Sequence, residues 1–206
     1  MIEFRPLKAD EIEVRVAIVK DSGVSLLLYK DARCDMNILD ETVGIMGWQR
    51  KHTRDNANCI VSIWDVDKEQ WISKEDTGTE SRADEDGNEK KGLASDSFKR
   101  ACFNWGIGRE LYTAPFIWIR PDDVNIFKGN NGKPTTRDRF SVAEIEVVDK
   151  KIKMLKIKNN TKNKIVFTYG ASSTGKKGQK AETEEILKSS LSEPRINLLK
   201  KEVQRI

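Results

Sequence analysis

Lys99 and Arg100 stand side by side inside the run 94–108, and two adjacent cations on one rigid element suit the neutralisation of consecutive backbone phosphates. Read at about 100° per residue, Ala94, Phe98, Ala101, Cys102 and Trp105 fall on one stripe, which predicts an amphipathic helix. Lys99, Arg100 and Phe103 are expected on its opposite face, and Gly106 is expected to end it. An ordinary solvated Lys-Arg pair on a surface helix is the plainer reading of the same residues.

Other chemistries find less to work with. The chain has one histidine, His52, flanked by Lys51 and Arg54, and no Gly-x-Ser-x-Gly elbow to hold a nucleophile. Cys34, Cys59 and Cys102 are too widely spaced for a structural zinc site and sit in apolar surroundings, so buried reduced thiols are expected. Gly170, Gly175 and Lys176 match phosphate-loop spacing, but Lys177 stands where a magnesium-holding Ser or Thr belongs, and Gly178 and Gln179 do not open a helix. Asp65, Asp67, Glu75 and Asp76 lie on or beside one hairpin, so a metal-dependent nuclease remains an alternative. No cofactor and no resident metal are expected.

Composition frames these options. The 206 residues carry 37 Lys and Arg against 33 Asp and Glu, a formal charge of +4 that permits nucleic-acid binding without demanding it. No apolar run approaches the ~18 residues of a membrane span and no signal-peptide pattern opens the chain, so no membrane association and a cytoplasmic location are expected.

The elements that must position the candidate residues follow from periodicity. Residues 7–16 suit a short helix or a strand, and 24–29 read as a buried strand. A helix is expected over 32–43, closed by Gly44, then three strands over 48–54, 58–65 and 70–76. Residues 81–91 are acidic and read as a loop before the Lys99 helix. A strand at 116–119, a turn at 129–132 and a β-meander over 140–148, 152–157 and 165–169 complete the core, with Lys151, Lys153, Lys156 and Lys158 outward. The expected fold is α+β, with an antiparallel sheet, a β-β-β-α core, the meander, and a short helical tail. One domain over 1–170, a Ser/Gly/Lys-rich linker over 171–183 and a helical tail over 184–206 follow.

Arg33, then Gly44-Ile45-Met46-Gly47-Trp48, Glu75-Asp76-Thr77-Gly78, Ser95 to Ala101 and Gly106 to Tyr112 occur in an order that resembles the single-strand annealing proteins of the Rad fifty-two (Rad twenty-two) type, most nearly those of bacteriophages. The resemblance covers residues 9–112. It implies an α+β core that assembles into oligomeric rings, binds single-stranded DNA in a basic groove, and pairs complementary strands without ATP in recombination and repair. Lys99 and Arg100 match its basic pair and Arg33 a phosphate-contacting arginine; Asp96, Gly44, Gly47 and Trp48 match framework positions. Lys51, Arg54 and Lys74 join the expected DNA-binding set. Ile45 and Phe103 depart from the pattern, standing where an aromatic and a further arginine are common. A further alternative is an accessory module whose tail recruits a single-strand-binding protein.

Overall fold

The computed structural model describes residues 2–79 and 89–170. Its elements run β1 (Glu13–Lys20), β2 (Gly23–Tyr29), α1 (Ala32–Val43), β3 (Trp48–Thr53), β4 (Asn58–Asp65), β5 (Gln70–Thr77), α2 (Glu89–Trp105), β6 (Ile117–Ile119), β7 (Phe127–Lys128), β8 (Pro134–Thr135), β9 (Phe140–Val148), β10 (Lys151–Asn159) and β11 (Lys164–Tyr169). The fold is α+β, with antiparallel strand pairing throughout the described residues. The chain divides into two compact units, one of residues 2–7 and 30–109, the other of 8–29 and 110–170 within the described range. The expected linker and tail, 171–206, lie outside the described residues.

In the first unit β3-β4-β5 form a three-stranded sheet with α2 against β4 and β5. Alternation decides which side chains meet the helix. Cys59, Val61 and Ile63 of β4 are essentially fully buried. Through the strand register they align with Trp48, Arg50 and His52 on one side and Ile72, Lys74 and Asp76 on the other. α1 packs on α2 and β3, burying Cys34, Ile38 and Leu39. Its start is set by Asp31, whose carboxylate accepts hydrogen bonds from the Arg33 and Cys34 amides at 2.6 and 3.1 Å. Gly44, at φ 78°, closes it.

α2 starts at Glu89, earlier than expected, so residues 89–91 of the anticipated loop are helical. Its end is a Schellman motif: the Ile107 amide donates to the Cys102 carbonyl at 3.1 Å and the Gly106 amide to Phe103 at 2.9 Å, with Gly106 at φ 97°. Phe103 does not face outward: it is 5% exposed. The cause is Lys30, whose ammonium is wholly buried, sits 4.3 Å from the Phe103 ring centroid, pairs with Asp35 and donates to the Ile107 carbonyl at 3.3 Å. A buried ammonium needs such an electron-rich lining. Burial pushes the Asp35 carboxyl up to about 6, against the pull of Lys30.

The second unit holds a six-stranded sheet in the order β11-β10-β9-β1-β2-β6. The late meander therefore continues the sheet begun by the β1–β2 hairpin, through β9 pairing with Glu13 and Val14. Of the two readings for residues 7–16, the strand prevails, preceded only by a 3-10 turn at Ala9–Glu11. β6 and β11, at opposite ends of the strand order, come into contact, so this sheet curls on itself. Val24, Leu26, Ile117, Ile119, Leu155 and Ile157 form its core.

Candidate nucleic-acid interface

The two motif segments 75–79 and 95–100 meet where α2 crosses β5. The Asp96 carboxylate accepts a 2.8 Å hydrogen bond from the Thr79 amide. Gly78 lies so close to the helix that a Cβ there would stand 2.7 Å from the Ser97 backbone nitrogen. Ser97, fully buried, donates to the Asn56 carbonyl at 2.9 Å and lies 3.4 Å from His52 Nδ1. Glycine and small polar residues are needed here because backbone approaches backbone. Burial and the nearby Arg50 hold His52 below the usual imidazole value, so it is neutral at pH 7.

One helical turn on, Arg100 places Nη2 3.3 Å from Asp76 Oδ1 and Nε at 3.4 Å from the same oxygen, with the two side chains 22% and 28% exposed. The guanidinium is a five-donor fork, so a single carboxylate oxygen occupies only one edge of it. Lys99, half-buried beside it, adds a positive field that lowers the Asp35 carboxyl slightly. Adjacent helix positions differ by about 100° in direction, which separates the pair. Arg33 opens α1 with its side chain 83% exposed and 2.9 Å from Asp31.

Three further cations follow different rules. Lys74 donates to the Asn104 carbonyl at 2.8 Å and sits 4.6 Å from the Trp105 ring centroid. Together with Arg109, which donates to the Phe103 and Asn104 carbonyls at 2.6 and 2.9 Å, it satisfies the open end of α2. Lys51 projects from the face of the sheet away from α2, opposite Ile60 and Glu75. Arg54 is exposed in the β3–β4 turn at φ 50°. The expected set thus divides into Lys99 and Arg100 on α2, Arg33 at the start of α1, Lys74 under the α2 end, Arg54 in a turn and Lys51 on the other face.

Arg50 was not among the sequence candidates. It stands immediately before Lys51 on β3, exposed, with its guanidinium carbon 4.8 Å from the ring centroid of buried Phe98, which in turn stacks on Trp48 at 6.0 Å. The signal available was alternation: Trp48, Arg50 and His52 share the helix-facing side of a six-residue strand.

The hairpin acids do not converge. Asp65 binds the Asp67 and Lys68 amides in the β4–β5 turn, at 3.1 and 3.2 Å. Glu75 accepts from Asn58 Nδ2 at 3.0 Å on one face of β5, whereas Asp76 faces Arg100 on the other. Asp65 aligns with Gln70, so about five residues, or roughly 17 Å of strand, separate it from Glu75. Among the described residues no group of three or more His, Cys, Asp or Glu could hold a metal ion.

Apolar side chains lie open at the other end of this sheet. Ile45 and Met46 are 76% and 88% exposed, and Val66 is 74% exposed. Trp64 and Trp71, paired across β4 and β5, meet edge-on at 5.5 Å and stay about two-fifths exposed. The cysteines are buried, and burial raises the Cys59 thiol to about 11.

Comparison of the chain with protein-family models, with curated proteins and with solved structures finds no match.

Proposed function

We propose that this protein binds single-stranded DNA through its β3-β4-β5-α2 unit and anneals complementary strands without ATP, as the motif resemblance implies. The observation that carries the reading is the meeting of residues 75–79 with 95–100, which sets Arg100 and Lys99 on a helix locked to the sheet by Asp96, Ser97 and Gly78. Annealing requires phosphates neutralised by fixed cations and bases left open to a second strand. Arg33, Arg50, Lys99 and Arg100 supply that charge from secondary-structure elements rather than from loops. The separation of Asp65 and Asp67 from Glu75 and Asp76 speaks against the nuclease alternative.

A small site gains from repetition, because linked copies raise effective concentration along one strand. The open apolar end formed by Ile45, Met46, Trp64, Val66 and Trp71 is of the composition found at subunit contacts, and a second copy of this chain is its proposed occupant. Recruitment of a single-strand-binding protein is assigned to residues 171–206.

The test is annealing of two complementary oligonucleotides without nucleotide or metal, with mass photometry of the same sample. Accelerated pairing and an assembly larger than a dimer are expected. No acceleration over the spontaneous rate, or strand cleavage when magnesium is added, would overturn the reading.

A further inference from the structure

The β7–β8 hairpin belongs to the second unit and contains none of the candidate residues used above. Between Val124 and Arg139 the chain carries four cations, Lys128, Lys133, Arg137 and Arg139, against one acid, Asp138. All four cations are exposed, and none has an ion pair among the described residues. The acid, 8% exposed, is held by hydrogen bonds rather than by these cations: it accepts from the Asn125 amide at 2.9 Å, Asn125 Nδ2 at 2.8 Å and Asn159 Nδ2 at 2.7 Å.

Phe127 sits among these charges, 39% exposed, with the Arg137 guanidinium carbon 5.3 Å from its ring centroid. Phe127 pairs with Thr135, Arg137 follows two residues later against the ring, and Lys133 is the exposed cation at the tip, just before β8. The hairpin is held in shape at both ends. At its tip Gly129 and Lys133 pair at 2.9 Å, Gly132 turns at φ 73°, and the Lys133 amide donates to Asn131 Oδ1 at 3.0 Å. At its base the Asp138 network ties Asn125 to Asn159, which also donates to the Asp123 carbonyl at 3.0 Å. Those hydrogen bonds, working against burial, keep the Asp138 carboxyl below the usual carboxylate value.

We propose that the Phe127–Lys133–Arg137 face of this hairpin is a second contact for single-stranded DNA, a base stacking on Phe127 while Lys133 and Arg137 take the flanking phosphates. Cations alone would suit any polyanion. An exposed ring with cations beside it on one hairpin selects a chain that alternates flat bases with phosphates. The site lies wholly in the second unit and does not depend on the role given to Lys99 and Arg100.

The test uses the full-length protein and fluorescence anisotropy with a thirty-nucleotide oligo-dT and an abasic strand of equal length. Phe127→Ala is expected to weaken oligo-dT binding roughly fivefold or more, leave abasic binding unchanged, and be rescued by Phe127→Tyr. The Lys133→Ala, Arg137→Ala double variant should weaken both strands and lower the log-log salt slope by about 0.7 per lost phosphate contact. The same pattern is expected in a Lys99→Ala, Arg100→Ala background, which separates this site from the first. Unchanged oligo-dT affinity in Phe127→Ala, or equal losses on both strands, would overturn the proposal. Because Phe127, Lys133 and Arg137 are exposed, thermal melts of their variants should coincide with the protein they are made in.

Discussion

Asp76→Asn should tighten single-stranded DNA binding, although it removes the ion-pair partner of Arg100. The pair is 3.3 Å long and its side chains are 22% and 28% exposed, so its loss costs about 0.5–1 kcal/mol of stability at most. A phosphate docked on the free edge of Arg100 would lie roughly 6.6 Å from the Asp76 carboxylate, about twice the observed pair distance. At the dielectric of water, removing a like charge there relieves about 0.6 kcal/mol, close to a threefold gain in affinity. Arg100→Ala acts the other way. Losing one phosphate contact lowers the salt slope by about 0.7, so between 50 and 200 mM salt the parent's affinity should fall about 2.6-fold more than the variant's. Anisotropy titrations with oligo-dT at four salt concentrations, beside thermal melts, give every quantity needed. If Arg100 only braces α2 against β5, both substitutions lower the melting temperature and neither alters affinity or slope. That outcome would refute the assignment of Arg100 to phosphate.

Lys30→Met should destabilise the first unit by about 3–5 kcal/mol, and Lys30→Met with Asp35→Leu should recover most of it. Four of the five tryptophans, Trp48, Trp64, Trp71 and Trp105, report on that unit in urea titrations. The Asp35 carboxyl is raised from 3.8 to about 6 in the folded protein, so protonation favours folding there. This contribution is fully present below pH 3.8 and is lost as pH rises through 6; it should vanish from the pH profile of the double variant, and its persistence would exclude Asp35 as the source. Gly78→Ala should cost about 1–3 kcal/mol, because the added Cβ meets Ser97 backbone at 2.7 Å rather than a side chain that can swing away; an unchanged denaturation midpoint would contradict the close approach. Ile45→Glu with Met46→Glu should leave the melting temperature unchanged and shift mass photometry toward the monomer, whereas an undiminished assembly would place the subunit contact elsewhere. Removal of residues 171–206 should leave oligo-dT affinity intact.

Local chemistry made much of the chain readable before any coordinates. α1 is legible over 32–43 from the side of Leu39 and from Gly44 as stop, while its cap, Asp31, is seen only in the structure; α2 ends at Gly106 because only glycine enters the left-handed region without strain. β3, β4 and β5 follow from period-two alternation, and so do the strands of the meander. What periodicity cannot carry is which elements share a sheet. That β9 joins β1 depends on pairing Glu13 and Val14 with residues more than a hundred positions away, to which local propensity is blind. The same limit applies to the site. Phe103 occupies the polar side of α2 by helical periodicity, yet it is buried because Lys30, distant in sequence, needs its ring. Lys99 and Arg100 are neighbours in sequence, but the carboxylate that Arg100 meets, Asp76, lies on β5, some twenty-four residues away. Residue type determined that these cations must be accommodated; only the packing of sheet and helices decided which carbonyl, ring or carboxylate each one meets, because that depends on contacts made across the sequence rather than along it.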